Sequence, residues 1–75
     1  MSNTTVAVNF TTDEEAGAVY GTIRKLKHEG YFSSYSMYDD YALLFVPSTE
    51  VNTVIDFFDT LSAERELPGI SAQTD

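Results

Sequence analysis

Short segments of alternating apolar residues, two longer segments with apolar residues every three or four positions, and a two-residue gap between two strand-like runs predict an α+β domain of order β-α-β-β-α. Residues 4–10 place Val6, Val8 and Phe10 on one side of an extended chain, which is the pattern of a half-buried strand. A helix start follows. Thr12 can cap it, Glu15 can return the bond as a capping box, and Asp13, Glu14 and Glu15 sit where a helix dipole favours negative charge. Ala16, Val19, Tyr20, Ile23 and Leu26 then recur at helical spacing. Arg24, Lys25 and Lys27 lie near the end that favours cations, and Gly30 stands as the stop, so the helix is expected over about residues 13–29.

Residues 31–38 and 41–46 are β-rich runs separated by Asp39-Asp40, the length of a tight hairpin loop. With Tyr38 opposite Tyr41, alternation puts Phe32, Ser34, Ser36, Tyr38, Tyr41, Leu43 and Phe45 on one face. Tyr31, Ser33, Tyr35, Met37, Ala42, Leu44 and Val46 fall on the other. Both faces are partly apolar, whereas a sheet open to water on one side usually alternates more cleanly. Pro47 then breaks the run, Ser48 or Thr49 is positioned to cap, and Val51, Val54, Ile55, Phe58 and Leu61 make the stripe of a second helix that Leu67-Pro68-Gly69 ends. Residues 70–73 are a weak strand candidate. That sixth element would complete a ferredoxin-like βαββα(β) arrangement, an antiparallel sheet with two helices packed on one face. Residues 1–75 are expected to form one small domain, with an ordered core over about 4–67 and residues 68–75 as either a short edge strand or a flexible tail.

Twelve carboxylates against four basic side chains give a formal charge of −8. The last third holds Glu50, Asp56, Asp59, Glu64, Glu66 and Asp75 against Arg65 alone. Such a surface repels phosphate backbones and anionic lipid and attracts basic proteins. With no cysteine, neither a disulfide nor a thiolate metal site can staple the core, so stability must come from apolar packing, a partner or self-association. The N-terminal residues lack a basic segment followed by a long apolar run, and no stretch is apolar enough to span a bilayer. The expected location is the cytoplasm, the host's if the chain is viral.

Catalytic chemistry finds little support. The single imidazole, His28, lies beside Lys27 and Glu29 at a helix end, where it complements the dipole, and no serine falls in a nucleophile elbow. Asp39-Asp40 and the run Asp13 to Glu15 offer hard oxygen ligands without the alternation of a calcium loop, so no metal or other cofactor is expected. Gly17 and Gly21 form a GxxxG spacing inside a helix, which permits close packing. Ring-rich strands can stack on unpaired bases, but the hairpin has no cation and two aspartates, which argues against direct binding of RNA or DNA.

Protein recognition remains. Tyrosine buries a large ring at low entropic cost and keeps a hydroxyl for hydrogen bonding. Tyr35, Tyr38, Asp39, Asp40 and Tyr41 of the hairpin, with Asp56, Phe57, Asp59 and Glu64 of the second helix, are the candidate partner-binding residues. The expected function is a non-enzymatic, acidic inhibitor or adaptor that occupies a basic surface of a larger protein, including one that handles nucleic acid, whose phosphate row spaced carboxylates can imitate. In size and charge, though in nothing more specific, the chain resembles phage-encoded antagonists of host machinery. The alternative is a regulatory or assembly module that homodimerises through its open sheet face, with room for a small ligand at the interface.

Overall fold

The computed structural model describes residues 2–75, so residue 1 of the expected domain lies outside the described residues. The elements are β1 (Asn3–Asn9), α1 (Asp13–His28), β2 (Ser34–Met37), β3 (Tyr41–Pro47), a 3-10 turn (Ser48–Glu50), α2 (Val51–Glu64) and β4 (Ser71–Thr74). The strands make one antiparallel sheet of order β2-β3-β1-β4. The tail supplies its fourth strand: Ser71 pairs with Asn9 and Thr74 with Val6 along the free edge of β1.

One face of the sheet carries Val6 and Val8 of β1 with Ala42, Leu44 and Val46 of β3, all inaccessible to water. They join a single apolar cluster with Val19, Ile23 and Leu26 of α1 and Val51, Val54 and Phe58 of α2. The period-two and period-3.6 patterns therefore meet in one core, which is what makes each of them stable in a chain this short. Tyr38 N–H donates to the Tyr41 carbonyl at 2.8 Å, so the hairpin closes in the expected register.

The capping box forms as its spacing implies. Glu15 N–H donates to Thr12 Oγ1 at 3.1 Å, and Thr12 N–H donates back to the Glu15 carboxylate at 3.2 Å. At the other end of α1, Gly30 adopts φ +89° and Tyr31 N–H reaches the Leu26 carbonyl at 3.1 Å, a Schellman closure. That closure shortens the next strand. β2 spans only Ser34–Met37, and Phe32 turns inward to join the core instead of lining the open face with Ser34 and Ser36.

The start of α2 also departs from expectation. Ser48 and Thr49 lie in the 3-10 turn, Glu50 is the N-cap, and no side chain caps the helix. The Ser48 hydroxyl instead meets the Ser2 and Thr4 hydroxyls at 3.0 and 2.9 Å, tying the turn to the start of β1. Pro47 ends β3 from within, paired with Asn3. α2 closes before Leu67-Pro68-Gly69, by a second Schellman turn in which Leu67 N–H donates to the Ser62 carbonyl at 3.0 Å. The left-handed residue here is Glu66, at φ +53°. An L-residue in that region costs about 1–2 kcal/mol, part of which glycine's greater freedom in the unfolded chain offsets. Glu66→Gly is therefore expected to stabilise the domain by about 0.5–1 kcal/mol, read as a higher urea midpoint at unchanged slope. A lower midpoint would show that the Glu66 side chain contributes more than its backbone strain costs.

Candidate functional site

The direction of each strand decides which charges share an end of the molecule. β1 runs toward the hairpin tip, where Phe10 N–H donates to the Asp40 carbonyl at 3.1 Å, and α1 begins three residues later. α2 returns to the same end before β4 starts opposite Asn9. Asp13, Glu14, Asp39, Asp40, Glu64 and Glu66 are thus collected at one end from three separate stretches of chain, all of them exposed. Arg65 is the cation among them; with Asp13, Glu14, Gly17, Ala18 and Leu67 it lines a groove of about 400 Å³ between the start of α1 and the end of α2. The other basic residues, Arg24, Lys25 and Lys27, lie with His28 near the far end of α1, which spans roughly 24 Å at 1.5 Å per residue. With Glu29 the one carboxylate beside those cations at the end of α1, the first helix still runs from a net negative to a net positive end.

Glu15 binds this end together. It is 3 % exposed, and its Oε1 accepts from Thr11 N–H and Thr11 Oγ1, both at 2.8 Å, as well as from Thr12 N–H. Its Oε2 accepts from Gly69 N–H at 2.8 Å, joining the start of α1 to the loop before β4. The Thr11 backbone bond first, then the Thr11 hydroxyl, hold the carboxyl below its ordinary pKa. Burial opposes them, and the Gly69 and Thr12 bonds add to the lowering.

The nine residues singled out by sequence do not form one patch. Tyr38, Asp39, Asp40 and Tyr41 stay together at the hairpin tip, where the two tyrosine rings stack at 4.6 Å and 18° and both aspartates are exposed. Tyr35 lies on the opposite, helix-covered side of the sheet. It is half-buried against Phe32, with Lys27 Nζ 5.6 Å from its ring centre. Hydrogen bonding with Tyr20 pushes its hydroxyl above the ordinary phenol range, and burial adds to the rise.

Phe57 is half-buried, packed edge-to-face on Tyr31 at 5.4 Å, and lines a shallow groove of about 320 Å³ with Thr53, Asp56 and Thr60. Asp56 and Asp59 are exposed on the outer side of α2, and Glu64 belongs to the acidic end. Asp13, Glu14 and Glu66 join that end without having been singled out, because each looks locally like a helix-terminal residue. Only strand direction makes neighbours of them and the hairpin. Among the described residues, no three His, Asp or Glu side chains group as a metal site, and no helix is long and apolar enough to cross a membrane. Comparison with protein-family models, curated proteins and solved structures finds no match.

Proposed function

We propose that this chain is a ferredoxin-like, non-enzymatic binding domain that acts in the cytoplasm by seating its acidic end, flanked by Asp56 and Asp59 of α2, on a basic surface of a larger protein. The sheet order and the two helices are compatible with that fold. The observation that carries the function is the gathering of six carboxylates at one end while Arg24, Lys25 and Lys27 stand at the other end of α1. A polar charge distribution of this kind orients the molecule as it approaches a cationic partner and raises the rate of encounter. The stacked pair Tyr38 and Tyr41 beside Asp39 and Asp40 supplies ring surface that slows release. Carboxylates in this arrangement also suit a groove that otherwise holds nucleic-acid phosphates, so the partner class includes nucleic-acid-handling proteins and the outcome is inhibition or adaptation.

The test is affinity capture of the partner from lysate of the source organism at low salt, followed by elution with a salt gradient. Wild-type chain is expected to retain a basic protein that elutes as salt rises. Both Asp39→Lys/Asp40→Lys and Asp56→Lys/Asp59→Lys are expected to weaken its binding at least ten-fold and to flatten the salt dependence, with circular dichroism unchanged. Equal affinity for wild type and both variants would leave the acidic end as a solubility feature.

A further inference from the structure

The four strands, Asn3–Asn9, Ser34–Met37, Tyr41–Pro47 and Ser71–Thr74, contain no Asp, Glu, Lys or Arg in a chain that has sixteen such residues. The sheet face turned away from the helices is therefore neutral as well as uncovered. Its centre is apolar: Ala7 is only 9 % exposed, Leu43 is half-buried beside it, and Phe45 remains 38 % exposed across from Thr5. Tyr38, 47 % exposed, and Tyr41 continue the patch toward the hairpin. Water-soluble sheets ordinarily place charges on such a face and along its edges, which keeps sheets apart.

We infer that this face is covered by the same face of a second copy. Charge selects the occupant. A basic or an acidic partner finds no counter-charge on these strands, whereas a copy presents an equally neutral surface. Eleven of the twelve carboxylates lie on helices and turns; the twelfth, Asp75, follows β4 and its N–H donates to the Thr5 carbonyl at 2.9 Å, so it stands at the edge of the face. Strand spacing of about 4.8 Å and a rise of about 3.3 Å per residue give roughly 350 Å² of sheet per copy. Two such faces amount to about 700 Å² in projection, and somewhat more once their corrugation is counted, which places the pairing at the small, transient end of protein interfaces. The interface is thus small enough for reversible, micromolar pairing. Two copies related by an axis across the strands pack as aligned sheets with their acidic ends pointing apart, so the acidic ends stay free of each other. This pairing shares Tyr38 and Tyr41 with the proposed partner site but none of its carboxylates, so charge reversal at Asp56 and Asp59 tests the partner site and Phe45 and Thr5 test the pairing.

Sedimentation equilibrium of the purified full chain, from micromolar to submillimolar concentration and at low and high salt, tests the inference. The expected result is a monomer–dimer equilibrium whose constant is unchanged or tighter at high salt. Phe45→Lys is expected to weaken it at least ten-fold. Thr5→Lys replaces a residue outside the apolar core and so guards against simple misfolding; it is expected to do the same with an unchanged circular dichroism spectrum. Asp56→Lys/Asp59→Lys is expected to leave the dimer intact. A monomer throughout the concentration range overturns the inference, as does a dimer that survives Thr5→Lys and Phe45→Lys. Dissociation by salt overturns it as well, since that would trace association to the acidic and basic ends of the molecule.

Discussion

Glu15→Ala is expected to destabilise the domain more than Thr12→Ala, although both break the same capping box. Loss of the Thr12 hydroxyl removes one cap bond and costs about 1 kcal/mol. Loss of the Glu15 carboxylate strips acceptors from Thr11 N–H, Thr11 Oγ1, Thr12 N–H and Gly69 N–H together, in a place where the carboxylate itself is 3 % exposed. It also detaches the loop that delivers β4 to the sheet. The effect has a pH signature. Because the folded-state pKa of Glu15 lies below its ordinary value of 4.5, its contribution is complete above that value and disappears as pH falls through the folded-state pKa.

Urea unfolding of wild type and Glu15→Gln, followed near neutral pH and again in acid, should show the variant less stable at neutral pH and the two converging in acid. A gap that does not change with pH would mean that Glu15 acts by shape and not by charge. Gly69→Ala should damage the same joint, since a Cβ there would press on the Glu15 carboxylate and the Thr11 hydroxyl. A Gly69→Ala variant as stable as wild type would show that the loop can move off α1 without loss.

The other large effect is expected at Phe58. It is the largest fully buried side chain and belongs, with Val51 and Val54, to the side of α2 that enters the core. Truncating a buried phenylalanine to alanine costs about 3–5 kcal/mol, the lost transfer energy plus the cavity left behind. A domain of this length has about 4–11 kcal/mol in total. Phe58→Ala should therefore remove about a quarter or more of the folding free energy and, at the lower end of that range, populate unfolded chain at physiological temperature. Urea unfolding followed by far-ultraviolet circular dichroism measures it, and a loss below about 1 kcal/mol would mean that the core collapses around the site. Phe57→Ala is the internal comparison. Phe57 is half-buried on Tyr31 at the rim, so its truncation should cost less.

Neighbouring residues alone were enough to read most of the elements. Val6, Val8 and Phe10 announce a strand, Thr12 with Glu15 announces a helix start, and Gly30 announces its end, because each signal depends on residues within one or two turns of chain. The same locality explains the misplaced features. The inward turn of Phe32, the left-handed Glu66 and the diversion of Ser48 to Ser2 and Thr4 are set by what each segment meets across the fold. β4 belongs with them: Ser71–Thr74 has almost no apolar pattern and is a strand only because β1 offers it an unpaired edge.

The candidate site divides in the same way. Composition was sufficient to establish an acidic chain with more rings than one core face needs. It could not sort Tyr35 to the helix side and Tyr38 to the open side with Tyr41, nor bring Asp13 and Glu14 to the same end as Asp39, Glu64 and Glu66. Those placements follow from strand direction and sheet order, which are properties of hydrogen bonds between residues far apart in the chain. Glu15 shows the boundary within a single side chain: one oxygen makes the capping box that any reader of residues 12–15 would expect, and the other reaches Gly69, fifty-four positions away.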